Sequence, residues 1–106
     1  MKMSRYFLLI AVVCLLPSLV FAAGDAAKGK DVYMAKCKSC HGADGTPSPS
    51  MAKSMGIKPM NDKAIQAKSD ADLKKAVTDG IGKMPKQASV TGAAVDDVIA
   101  FVRTLK

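Results

Sequence analysis

Cys37-Lys38-Ser39-Cys40-His41 is the stretch from which the rest of this chain can be read. Cys-x-x-Cys-His is the pattern of c-type haem attachment. Two thiols three residues apart on one helical turn can form thioether bonds to the two vinyl groups of a single porphyrin. The histidine that comes next presents its imidazole to the iron, where His is a common axial ligand. Covalent attachment also suits an exported protein, because the cofactor cannot diffuse away.

Other uses of the two cysteines fit less well. A thioredoxin-like dithiol needs a preceding β-strand, an α/β layout and a lowered thiol pKa, and nothing in the chain reads as β-rich. A Cys37–Cys40 disulfide would close too small a loop to constrain much of the chain. Zinc needs further ligands, and His41 is the single histidine. There is no second His, so a bis-His site would need another chain; methionine is the other common sixth ligand and raises the potential relative to bis-His.

Five methionines lie beyond the N-terminal segment: Met34, Met51, Met55, Met60 and Met84. Met34 precedes Cys37 by one turn, on the His41 side. Met51 and Met55 stand at helical spacing, which suits a core role. Met60 lies in an irregular segment and is the alternative. Met84 fits best: it lies in Gly80-Ile81-Gly82-Lys83-Met84-Pro85, where glycines allow close approach and Pro85 stiffens the chain just after the methionine. It also lies 43 residues beyond His41, enough chain to pass from one haem face to the other.

Working outward, Met1 to Arg5 is a short basic start, and Tyr6 to Phe21 is an apolar run. Val20-Phe21-Ala22 offers small enough residues at its first and last positions for a signal peptidase. Residues 1–22 are therefore expected to be a cleaved signal peptide and 23–106 one domain exported to the periplasm. Cys14 falls inside this leader, after Ala11-Val12-Val13 rather than a leucine-led lipoprotein pattern, and reads as apolar filler. The apolar run is short for a membrane span and no second one comes later, so the mature chain is not expected to insert into a membrane.

Beyond residue 22 the apolar side chains larger than Ala and Cys are six Val, four Ile, two Leu, five Met, Tyr33 and Phe101. So small a set cannot wall off much core, and domains of this size usually need a staple. A multidomain enzyme is excluded, and a disulfide, metal or cofactor is expected to complete the fold. The whole chain carries +7; without Lys2 and Arg5 it carries +5, and all nine acids are Asp. That balance favours acidic partner surfaces. Nucleic acid is a poor reading, because the lysines are spread singly and the chain is exported.

Helical periodicity accounts for most of the remainder. Asp25 caps a helix over 26–37 with Ala26, Gly29, Tyr33 and Cys37 on one stripe. Gly29 costs about 1 kcal/mol relative to Ala in a helix interior, so a close helix neighbour is expected there. Residues 42–50 are a loop, and 51–58 a short helix ending near Gly56. One turn is expected within 61–67. Ser69 or Asp70 caps a helix over 71–78 with Leu73, Ala76 and Val77 inward, closed by Gly80. Thr91 is expected to cap the last helix, 92–105, whose stripe is Val95, Val98, Ile99, Val102 and Leu105 with Phe101 at its edge. The reading is one all-α domain.

Taken together, Gly29, Tyr33, Cys37 to Gly42, Pro49-Ser50-Met51, Gly82-Lys83-Met84-Pro85 and Val98 to Leu105 resemble the small bacterial class I cytochromes c. This is the monohaem group of short c5-, c6- and c551-like electron carriers, and the resemblance covers essentially all of residues 23–106. It implies four to five short helices wrapped round one covalent haem c. Cys37 and Cys40 would hold the haem, with His41 the proximal ligand and Met84 the distal one. Gly29 and Tyr33 match first-helix positions that cross the last helix, where Phe101 fills an aromatic site. A loop proline carbonyl would accept a hydrogen bond from His41; Pro49 fits best, with Pro47 the alternative.

The function so implied is that of a soluble periplasmic one-electron carrier, monomeric and not an enzyme. Lys38, Lys83 and Lys86 would lie near the exposed haem edge, with Lys36 and Lys53 further round, to meet acidic surfaces of redox partners. A dedicated haem subunit of one periplasmic dehydrogenase is the alternative. An open, gas- or peroxide-binding iron is a third reading.

Overall fold

The computed structural model describes residues 24–106; the signal-peptide reading of residues 1–22 lies outside them. Short polar caps set where each helix begins. The Asp25 carboxylate accepts from the Ala27 and Lys28 amides and starts α1 (Ala26–Lys36). Cys37 ends α1 and leads directly into the single turn α2 (Lys38–His41). Ser48 accepts from the Met51 amide ahead of α3 (Pro49–Met55), with Pro49 at the first position, where a missing N–H costs nothing. Asp62 caps α4 (Lys63–Gln66) and Ser69 caps α5 (Asp70–Asp79). Then come α6 (Ala93–Val102) and a 3₁₀ turn, Arg103–Leu105.

Six helices, two of them single turns, and no strand make up the described residues, so the all-α expectation holds. Several boundaries differ from the sequence reading, that of the last helix among them, since it runs Ala93–Val102 and a 3₁₀ turn continues it to Leu105. The third helix starts at Pro49 because Ser48 and Pro49 together form its cap and first residue, and it stops where Gly56 turns left-handed. The first ends at Lys36 rather than Cys37. Thr91 is not the last helix's side-chain cap: Gly92 occupies that place, and Thr91 contributes its carbonyl to the Ala94 amide.

The core is the crossing of α1 and α6. Val95, Val98, Ile99, Phe101 and Val102 are buried on α6, joined by Leu73 and Val77 from α5 and by Tyr33 from α1. Each such side chain contributes about 1.5–3 kcal/mol when fully buried. The close neighbour expected at Gly29 is α6 itself: a Cβ there would stand 1.8 Å from the Asp97 carbonyl oxygen. Asp97 also fastens the start of α1, its Oδ1 accepting the Asp25 amide at 2.7 Å. One turn along, the Tyr33 and Phe101 rings lie 5.0 Å apart at 57°, a tilted arrangement that aromatic pairs favour.

A second fastening holds the 60–70 segment to the end of α6. Arg103 donates to the carbonyl of Gln66 at 2.8 Å and to the carboxylate of Asp70 at 2.8 Å. The Gln66 amide reaches the carbonyls of Met60 at 2.7 Å and Val102 at 3.3 Å. Gln66 and Val102 each end a helix, where carbonyls are left without intrahelical partners.

Candidate haem-binding site

The haem-attachment motif is a helical turn in the structure. The His41 amide bonds the Cys37 carbonyl at 3.0 Å and the Gly42 amide bonds that of Lys38 at 2.8 Å. Residues three and four apart share a helix face, so Cys37, Cys40 and His41 come together. The Tyr33 hydroxyl donates to the Gly42 carbonyl at 2.6 Å, fixing the chain just beyond His41 to the buried core.

All three motif residues line a cavity of about 580 Å³. Its apolar walls include Leu73 and Val77 of α5, Ile99 and Val102 of α6, and Met55, Ile57, Met60 and Ile65. Volume and lining suit a cofactor site. The two cysteines are free thiols, and burial pushes the Cys37 thiol up, with Cys40 adding to it. Burial pushes the His41 pKa below its ordinary value, which favours the neutral imidazole that a metal requires. His41 Nδ1 is buried and has no hydrogen-bond partner, a situation costing about 1–3 kcal/mol unless something completes it. Among the described residues no three His, Cys, Asp or Glu side chains converge on a point that could hold a bare metal ion. Thiols, imidazole and apolar volume together fit a haem.

Met84 lines the same cavity. It ends a two-residue turn in which Ile81 and Met84 exchange both backbone bonds, at 3.0 and 2.9 Å. Gly82 sits at φ 55° in the first central position, which favours glycine in such turns. Beyond the turn the Gln87 amide is pinned to the Val77 carbonyl at 2.8 Å. Met34 and Met51 do not line the cavity, whereas Met55 and Met60 do. The Met60 backbone is held by Gly45 and Gln66, and its side chain packs on Gly45. Met84 is the cavity methionine presented on its own pinned turn, and Met55 stands at the end of α3.

Neither Pro49 nor Pro47 accepts from His41, whose Nδ1 has no partner; Pro49 is exposed at the start of α3. Pro47 is the buried loop proline. Lys83 is exposed and lines the cavity, and its Nζ donates to the Ser54 carbonyl at 3.1 Å, at the C-terminal end of α3. A cation is favourable there, and the bond ties the Met84 turn to α3. Lys38 and Lys86 are exposed but do not line the cavity. The lysines that do are Lys36, Lys58, Lys68 and Lys83, and no aspartate lines it. Lys58 and Lys68 carry no sequence signal, because only the folding of 57–68 brings them there.

Residues 24–102 match the family described as cytochrome c oxidase, cbb3-type, subunit III. The chain belongs to this family of c-type cytochromes. This cytochrome is 33% identical over 94 residues to cytochrome c-554(547) of Halothiobacillus neapolitanus, covering 79% of the chain and 100% of that protein. A solved structure, the KustC0563 c-type cytochrome, is similar at a TM-score of 0.65 and 27% identity, over 74% of this chain and 96% of that one. The expected small cytochrome c fold is thereby shown. Family membership implies a covalent haem c, and the cytochrome's work is electron transfer rather than catalysis.

Proposed function

We propose that this cytochrome passes single electrons as the dedicated haem-bearing partner of a larger periplasmic redox complex. The observation that carries the electron-transfer reading is one apolar, lysine-edged cavity lined by Cys37, Cys40, His41 and Met84. Bound haem supplies a ferric/ferrous couple that takes up and releases one electron. Cys37 and Cys40 would attach it, and His41 and Met84 would hold its iron, leaving no site there for a gas or peroxide. The apolar walls from α5 and α6 would keep water from the bound group. No described helix is long and apolar enough to cross a membrane.

The family description, an oxidase subunit, favours a dedicated partner over a free shuttle. A diffusing monomeric carrier is the second reading, favoured because the match to cytochrome c-554(547) spans the whole of that protein, which adds no further domain. In both readings the partners present acidic surfaces, drawn by the cavity lysines and the net charge of +5 that remains after loss of Lys2 and Arg5.

Optical spectra of the exported, haem-loaded protein test the site: oxidised, reduced, and reduced with carbon monoxide. A low-spin spectrum indifferent to carbon monoxide is expected, with a ferric Met-to-iron charge-transfer band that Met84→Ala abolishes and Met60→Ala leaves. A high-spin spectrum that shifts with carbon monoxide would reject axial Met84. Native electrophoresis of the cell envelope separates the two partner readings, since a dedicated partner migrates with a large complex and a shuttle runs as a monomer.

A further inference from the structure

Arg103 is the single arginine among residues 24–106, in company with thirteen lysines. It does not line the cavity, yet its guanidinium reaches one stretch of the cavity wall. That stretch is 57–68, which supplies Ile57, Lys58, Met60, Ile65 and Lys68 to the lining and contains only the single turn α4. A lone helical turn is marginal in water, so this wall needs holding from outside. Among the described residues, its hydrogen bonds to the rest of the chain reach three partners. Gly45 accepts from the Met60 amide at 2.8 Å and Val102 from the Gln66 side chain at 3.3 Å. Arg103 donates to the carbonyls of Gln66 and Lys68. Its Nε and Nη2 also bond the Asp70 carboxylate at 3.0 and 2.8 Å. All three guanidinium nitrogens are thus engaged in different directions, which a rigid planar fork can do and a compact ammonium cannot. Arg103 also directly follows Val102, whose side chain belongs to the cavity wall made by α6.

We propose that Arg103 is a positioning residue for electron transfer: by tying 57–68 to the end of α6 it keeps that side of the cavity closed to water and so holds the reduction potential up. This rests on the electron-transfer reading of the cavity. Burial and solvent access are among the protein's levers on a haem potential, and water favours the more highly charged ferric state. The contacts that matter are those to the two carbonyls. The Asp70 side chain is 56% accessible, and an ion pair so exposed contributes little.

The test measures reduction potential and amide exchange in the haem-loaded protein. Arg103→Lys keeps the charge and loses the fork. Its ferric state is expected to be favoured about tenfold more than in wild type, a fall of about 59 mV for one electron. Exchange protection should drop at the Met60 and Ile65 amides and stay at Tyr33 and Val98, with the Met-to-iron band unchanged. Gln66→Leu, which removes the amide bridging the Met60 and Val102 carbonyls, should lower the potential in the same direction by less, and it carries the test if Arg103→Lys does not fold. Asp70→Asn removes only the exposed pair and should shift the redox equilibrium less than about twofold. A wild-type potential in Arg103→Lys beside a lowered one in Arg103→Met overturns the proposal, because charge alone is then at work. So does a loss of protection spread equally over Tyr33, Val98 and 57–68, which makes Arg103 a general stabiliser. Absence of the Met-to-iron band in wild type removes instead the electron-transfer reading beneath it.

Discussion

Where α1 crosses α6, backbone meets backbone: no side chain fits at Gly29, and Tyr33 and Phe101 close the gap with tilted rings. Around the cavity, the motif turn, α3 and the Met84 turn enclose about 580 Å³ instead. The Met84 turn is joined to α3 by a lysine-to-carbonyl bond between exposed residues. The first region is completed by its own side chains, whereas the second has apolar walls that face each other across a space. A ligand bound only by the folded state stabilises whatever it touches, so the two halves of this small domain owe their stability to different sources.

The greatest change should come from testing that division directly. A Cys37→Ser/Cys40→Ser protein, which cannot attach haem, is expected to lose amide-exchange protection in α3, α4 and residues 81–87. The α1–α6 contact should keep a measurable part of its own. Equal loss in both regions, followed by hydrogen exchange, would show a single cooperative unit and break the comparison.

On the packed side, Gly29→Val should destabilise the haem-loaded protein by about 3 kcal/mol in denaturant titration, because α1 must lift off the Asp97 carbonyl. Tyr33 gives a pH-dependent measure of the same side. Burial, with smaller contributions from Cys37 and Asp44, pushes its hydroxyl from 10.0 up to about 12. The folded chain holds this proton more tightly than the unfolded one, so the contribution is intact below about pH 10 and is lost as pH rises from there towards 12. The loss over that window amounts to about 2–3 kcal/mol. Stability measured against pH should fall more steeply in wild type than in Tyr33→Phe, although the variant starts lower for want of the Gly42 bond.

The smallest effect lies on the cavity side. Lys83→Gln should change overall stability by less than about 1 kcal/mol, since the bond is exposed. It should nonetheless let imidazole displace Met84 from ferric iron several-fold faster in stopped-flow measurements. An unchanged rate would mean that the Ile81–Met84 turn is held by its own backbone bonds alone.

Many of these features are legible in the residues alone. The Cys37–His41 motif, the Asp25 and Ser69 caps and the α6 stripe from Val95 to Val102 depend on neighbours within one or two turns. A sequence displays such relations directly. Gly29 is legible too, as an expense inside a helix that requires a close neighbour. The start of α3 is a local signal as well: Ser48-Pro49 is a strong helix start, although residues 42–50 read as loop. The Arg103–Gln66–Asp70 fastening leaves no trace in the sequence, since its partners lie 33 to 37 residues apart.

Residue type and short spacing make this chain helical, too small to close a core unaided, and equipped to bind haem covalently through one turn. At that range backbone geometry leaves few alternatives. Which methionines reach the cavity was decided in three dimensions. So was the burial of Pro47 rather than Pro49, and the engagement of Lys83 while Lys58 and Lys68 join the cavity lining. Each of those depends on where distant segments come to rest, and that is set by how Gly29, Tyr33 and the α6 stripe pack rather than by any residue's immediate neighbours.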